Sequence, residues 1–306
     1  MKRILFLFLD GVGLGPEDPA NPFAQHSGKG LRRLAGDQRW VRPLEKRATP
    51  SHLVRPIDAT LGHEGLPQSG TGQASLMTGE NCARLVGRHF GPYPHSKTYD
   101  VLDQANLFHR IQSLSAAPSP PCAFANAFPP RYFTATRRRA TVTTRCCKAA
   151  GVRIRNISDL RQGRALPADL TGTTWREALD LEIPERSPKQ AGGILTALHR
   201  EHHFTLLEYF YTDKVGHKRI NTLPQVLLKT LDQFLKGLLT DLDPAHESLL
   251  VTSDHGNLED TSHTQHTRNP VPLIVYGWAA PHFAEATDLT DVTPGIVRAL
   301  RAAPDA

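Results

Sequence analysis

Apolar positions along the chain follow two rhythms. Ile4–Leu9 ("ILFLFL"), Phe204–Tyr209, Leu249–Thr252 and Val271–Tyr276 are short, nearly unbroken runs rich in branched and aromatic residues. Runs of that length bounded by turn residues predict strands buried on both faces. Leu53–Ile57 and Cys122–Ala127 are weaker strands of the same kind. Elsewhere the spacing is helical. Pro188–Glu201 places Ala191, Ile194, Leu195 and Leu198 on one face, and Leu223–Leu242 is the clearest amphipathic helix. Further helices are expected to about Leu34, at Ser69–Thr78, Ser96–Leu114 and Pro294–Arg301. Strand and helix alternate, so the expected class is α/β, a mainly parallel sheet with helices on both faces.

Two stretches break this alternation. "AAPSPP" (Ala116–Pro121) reads as a loop, and Pro129–Arg186 is helical in parts without a strong strand. The second is expected to be a small inserted cap. It divides the chain into a core segment 1–128, a cap 129–186 and a second core segment 187–306. No internal repeat or low-complexity tract is visible.

Composition changes this picture little. The 306 residues are 39% hydrophobic and 22% charged, ordinary values for a globular protein with a sizeable core. The N-terminal apolar run ends on Asp10-Gly11 with no small-residue cleavage site, so it is read as a buried first strand and not a signal peptide. No stretch approaches the ~18 apolar residues of a membrane span. Cys82, Cys122, Cys146 and Cys147 form no metal or disulfide pattern, which suggests a reducing cytoplasm. Charge matters more. The net value is +6, yet Pro129–Arg164 alone carries ten Lys and Arg against one acid, Asp159. That segment is either a solvated cationic face or an electrostatic funnel for an anionic substrate. It lacks the interleaved aromatics of a single-strand nucleic-acid binder, with only Tyr132 and Phe133 near its arginines.

The candidate chemistry comes from listing polar residues just past each strand, where parallel sheets collect their functional groups. The first strand gives Asp10. "YTDKVGH" gives Asp213 and His217, "SDHGN" gives Asp254 and His255, and the loop before Val271 gives His266. Buried carboxylates beside imidazoles need a partner, and a metal ion supplies one. "GLPQSGTGQASLMTGE" adds a hydroxyl, Ser69 or Thr71, at a helix start, where free N–H groups and the helix dipole favour an anion. A plain N-cap is the bland alternative, contributing ~1 kcal/mol.

In their order along the chain, Asp10-Gly11, the Ser69 helix start, "TDKVGH", "SDHGN" and "HTRNPVP" resemble the alkaline phosphatase superfamily. The likeness is to its cofactor-independent phosphoglycerate mutase and phosphopentomutase branch, and to that branch's shorter metalloenzyme-domain proteins. It covers Met1–Phe128 and Ser187–Ala306, and it implies an alkaline-phosphatase-like core. Matched position by position, it implies two divalent ions, one held by Asp10, Ser69, Asp254 and His255, the other by Asp213, His217 and His266. Ser69 is the matching nucleophile, with Thr71 as the second choice. Imidazole and carboxylate without thiolate suit Mn²⁺ or Zn²⁺. The resemblance thus implies a phosphomutase or phosphatase acting on a small phosphate ester through a phosphoserine. The alternatives are a phosphodiesterase of the same superfamily or a non-catalytic binding protein on the fold.

The chain also departs from that pattern. The mutase motif Asn-Ser-x-x-Gly-His is replaced by Gln68-Ser69-Gly70-Thr71-Gly72-Gln73. No mutase substrate-binding position can be matched, so Arg131, Arg137, Arg138 and Arg139 are substrate-binding candidates from charge alone. His263, three residues before His266, is read either as support for that ligand or as a surface residue.

Overall fold

The computed structural model of the chain describes residues 1–114, 121–135 and 139–303. Seven strands form one sheet: β1 Arg3–Leu9, β2 Arg47–Thr49, β3 His52–Ile57, β4 Cys122–Phe124, β5 Phe204–Tyr209, β6 Glu247–Thr252 and β7 Val271–Tyr276. Their order across the sheet is β2-β3-β7-β6-β1-β5-β4. β1 pairs in parallel with both β5 and β6, setting Phe6 beside Leu206 and Leu250, and β4 extends the parallel half beyond β5. The expectation of a mainly parallel α/β sheet holds. Five strands point the same way, and β7 and β2 are reversed: β7 runs against β6, β3 against β7, and β2 against β3.

The unbroken apolar run of β1 is explained by its central place. Ile4, Phe6 and Phe8 belong to one core cluster, Leu5, Leu7 and Leu9 to another across the sheet. Each face is covered by helices. Pro188–His199 and Pro224–Asp241 pack on the second face, supplying Leu195, Leu198, Leu231, Phe234 and Leu235. Ser187 starts the first of these helices. Its hydroxyl accepts from the N–H of Gln190, and the Gln190 side chain accepts in return from the Ser187 N–H.

The helix expected over Ser96–Leu114 is broken into Ser96–Thr98, Tyr99–Gln104 and Leu107–Gln112. Asn106 restarts it by accepting from the N–H groups of Phe108 and His109, as an N-cap does. The stretch Pro129–Arg186, expected as a small inserted cap, packs in two ways. Its helix Val142–Ala149 sends Val142, Cys146 and Cys147 into the first core cluster. Only the part around Trp175, packed with Ala127, Leu160 and Ala165, forms a small cluster of its own. A four-residue spacing of Val and Cys is enough to bury one side of a helix that otherwise reads as basic.

Candidate metal centre

Asp10 follows β1, Asp254 and His255 follow β6, and Asp213 lies in the helix Tyr211–Gly216 just after β5. His266 precedes β7. Because β7 runs antiparallel to β6, its beginning lies at the same sheet edge as the ends of β1, β5 and β6. Ser69 opens the helix Ser69–Thr78, all ten residues of which are buried. That helix can approach because it begins with small residues. A Cβ on Gly70 would stand 2.1 Å from the Tyr93 carbonyl oxygen, and one on Gly72 would stand 2.8 Å from that of Asp254. Contacts that short leave room only for glycine.

The side chains meet in two adjoining groups, in each of which the ligand-type atoms lie within 4.8 Å of one another. Asp10, Asp254 and His255 make the first. His255 Nε2 is 3.5 Å from Asp10 Oδ1, 3.4 Å from Asp254 Oδ2 and 2.9 Å from Ser69 Oγ. Asp213, His217 and His266 make the second. Asp213 Oδ1 is 3.3 Å from His217 Nε2 and 3.6 Å from His266 Nε2. The rings of His255 and His266 stack at 3.7 Å and join the groups. The structure therefore brings together all seven residues expected as ligands.

The donor set fits divalent ions. His217 Nδ1 and His266 Nδ1 each lie 2.7 Å from a backbone carbonyl oxygen, of Thr264 and Pro67. A carbonyl only accepts, so Nδ1 carries a proton in each ring, and the two Nε2 atoms face each other at 3.0 Å. Two imidazole nitrogens converging on one carboxylate oxygen are donors of the kind that hold a divalent ion. On the other side, Asp10 Oδ1 is buried without a hydrogen-bond donor. Such an oxygen is a metal ligand in waiting.

Electrostatics agree. Burial, then the charges of Asp254, Asp213 and Glu208, push the Asp10 carboxyl well above the usual range. Burial and the Asp213 charge raise Asp254 to about 6, against donation from the Gly11 N–H and Gln73. Burial holds His255 and His266 down at about 4, so both are neutral and able to bind a metal at neutral pH.

Several residues that the sequence left aside complete the centre. Gln73 donates to both Asp10 Oδ2 (3.3 Å) and Asp254 Oδ2 (3.2 Å), bridging two carboxylates. Asn257 donates to Asp213 Oδ1 at 2.7 Å. Glu259 accepts from the N–H groups of Gly13 and Asn257 and ties the loops together. The only sequence signal for Gln73 was its place in the altered nucleophile motif.

The remaining candidates separate. Thr71 is fully buried, and its hydroxyl donates to the Gln68 carbonyl at 3.2 Å and accepts from the Phe90 N–H at 3.2 Å, away from the ligand groups. His263 is 42% exposed and pairs with Asp260 at the surface. Arg131 is exposed, near enough to the half-buried Lys214 to help burial lower that amine's pKa. Arg137 and Arg138 lie outside the described residues. Arg139 lines a separate cavity with Tyr93 and Arg145. A cation that the sequence did not single out, Arg219, lines a cleft of about 360 Å³ with Gln68, Ser69, Asp213, His217 and His266.

Comparison with known proteins agrees with this geometry. The family model described as the metalloenzyme superfamily matches residues 2–304, and the chain belongs to that superfamily. The 2,3-bisphosphoglycerate-independent phosphoglycerate mutase of Paracoccus denitrificans is 31% identical over 147 residues, 44% of this chain and 27% of the relative. That of Coxiella burnetii is 36% identical over 92 residues, 28% of this chain and 18% of the relative. The chain spans about a quarter of the length of the curated relatives it matches. Among solved structures, the alkaline phosphatase of the Antarctic bacterium TAB5 superposes with a TM-score of 0.54 at 11% identity, covering 98% of both chains. The PH0037 protein of Pyrococcus horikoshii gives 0.56 at 12% identity, covering 100% of this chain and 99% of that one. The fold is that of the alkaline phosphatases.

Proposed function

We infer that this member of the metalloenzyme superfamily transfers a phosphoryl group from a small phosphate ester, using two divalent ions and a phosphoserine at Ser69. The observation that carries the reading is the contact of Ser69 Oγ with His255 Nε2 at 2.9 Å, where the two ligand groups adjoin. Asp10, Ser69, Asp254 and His255 would hold one ion, Asp213, His217 and His266 the other, with Mn²⁺ or Zn²⁺ suited to such donors. When bound, the ions lower the pKa of the serine hydroxyl and offset charge on the phosphoryl oxygens.

The chain's own residues do the positioning. The helix start at Ser69 favours negative charge at Oγ. His255 Nε2 lies 2.9 Å from that hydroxyl, close enough for one ion to take both as ligands, and Gln73 and Asn257 orient the carboxylates behind it. Ser69 Oγ then bonds to phosphorus as the ester P–O bond breaks, and the leaving alcohol takes up a proton. Return of the phosphoryl group to another hydroxyl of that alcohol makes a mutase; transfer to water makes a phosphatase. Arg219, lining the same cleft, is placed to receive an anion. The free, buried thiols support a cytoplasmic setting. No helix among the described residues is long and apolar enough to cross a membrane.

The test is metal content and trapping. Mn²⁺-loaded protein quenched in acid with ³²P-labelled ester should carry label on Ser69, and Ser69→Ala should carry none. Asp254→Asn and His255→Ala should lose bound metal and turnover while keeping native circular dichroism. Label on Thr71, or full turnover by Ser69→Ala, would sink the assignment.

A further inference from the structure

Beside the metal centre lies a larger cavity, of about 680 Å³, that the reaction as described leaves unused. Its wall is the segment after Phe90, which is fastened to the nucleophile helix. The Thr71 N–H donates to the Phe90 carbonyl at 2.9 Å, and the Phe90 N–H donates to Thr71 Oγ1 at 3.2 Å. Gly91 lies so close to that helix that an added Cβ would stand 3.2 Å from the Ser69 nitrogen. Pro92 lines both this cavity and the cleft holding Ser69. The cavity therefore adjoins the cleft in which a phosphate ester at Ser69 would sit.

The lining is aromatic and cationic: Phe90, Tyr93, His95, Tyr99, Arg139 and Arg145. Tyr93 and Tyr99 are 36% and 37% exposed, unusually open for large rings in a wall. Arg139 lies over the Tyr93 ring at 5.8 Å and Arg145 over the Tyr99 ring at 3.6 Å. Asp103 neutralises Arg145, whereas no described carboxylate pairs with Arg139. His95 Nδ1 accepts from the Lys97 N–H, so its Nε2 carries a proton to donate. Tyrosine rings each backed by a guanidinium on one side, with Arg139 lacking a described carboxylate partner, suit a flat ring bearing negative charge. A three-carbon acid would leave most of this space to water.

Resting on phosphoryl transfer at Ser69, we propose that this cavity receives the leaving alcohol and selects esters whose alcohol carries a flat ring with a further anionic group. Tyr93 supplies the stacking face and Arg139 the charge. Both are specificity-determining residues with no part in breaking the P–O bond.

Three esters with leaving alcohols of similar basicity test this: cyclohexylmethyl, benzyl and 4-carboxybenzyl phosphate, given to the Mn²⁺-loaded protein. kcat/KM should rise along the series, by about fivefold at each step. Tyr93→Ser should abolish the benzyl over cyclohexylmethyl ratio, and Tyr93→Phe should keep it. Arg139→Gln should remove only the gain from the added carboxylate. Equal kcat/KM for all three, or a ratio untouched by Tyr93→Ser, overturns the cavity's role and leaves phosphoryl transfer standing. If no ester is turned over, phosphoryl transfer fails and calorimetry with benzylphosphonate and methylphosphonate decides the cavity. Tighter benzylphosphonate binding that Tyr93→Ser removes upholds the aromatic subsite, and equal binding overturns it.

Discussion

Gln73 shows how one amide changes the behaviour of a pair of buried acids. Asp10 and Asp254 sit together in a dry site, where burial and neighbouring carboxylates raise both, and Gln73 donates to each and pulls the Asp254 carboxyl back down. Below its pKa a carboxyl holds a proton that a metal ion must displace, so affinity falls as pH falls through that value. Asp254 sits at about 6 and the imidazoles of His255 and His266 at about 4, so the acids, not these histidines, should set the acid limit of metal binding. Mn²⁺ affinity measured by calorimetry should begin to drop near pH 6. In Gln73→Met the drop should start at higher pH, because an amide that lowers the Asp254 pKa is gone. An unchanged pH profile would remove Gln73 from the centre. The clustering of these acids and imidazoles could be read from the sequence, since an acid or imidazole directly after a core strand has few other places to go. Gln73 could not. An amide one turn into a helix reads as polar filler until the helix is known to run under two carboxylates.

At the scale of elements, reading residues past strand ends succeeded for His266 for a reason the sequence does not show. It lies before its strand, and only the antiparallel run of β7 brings it to the others. Periodicity marks a strand without giving its direction, so the antiparallel half of the sheet and the three-residue β2 were not legible. Small residues at the start of the Ser69 helix were legible, and their physical role is now specific. Gly70 is pressed against the Tyr93 and Phe90 carbonyls, whereas Gly193, in the helix Pro188–His199, has open space where a Cβ would go. The same substitution should therefore act with opposite sign. Gly193→Ala should stabilise by ~0.5–1 kcal/mol through helix propensity. Gly70→Ala should destabilise by at least ~1–3 kcal/mol through overpacking and displace the wall beside Ser69. Urea denaturation of both variants measures the pair. Equal shifts in one direction would show that the Phe90–Tyr93 wall yields to a methyl group.

For the whole molecule, the proposed transfer to Ser69 turns on what would become of the phosphoryl group there. A mutase must keep water from the phosphoserine until the group returns to the alcohol, which takes enclosure. Basic composition made Pro129–Arg186 look like one cap, because charge is read more easily than a thin apolar stripe of Val and Cys. Much of that segment is committed elsewhere: Val142–Ala149 to the main core, and Leu160, Ala165 and Trp175 to their own cluster. The short helix Pro130–Thr134 buries none of its residues. Little of the described segment remains to close over Ser69, and none of the residues lining its cleft comes from that segment. Free phosphate should then appear with any isomerised product, at a rate comparable to isomerisation. The measurement is phosphate release beside product isomer in one Mn²⁺-loaded sample, with 3-phosphoglycerate and ribose 1-phosphate as esters. Ser69→Ala should lose both outputs together, since both pass through the same phosphoserine. Clean isomerisation without released phosphate would mean that the chain closes over its substrate by a movement, and the argument from the small size of the enclosing segment would be wrong.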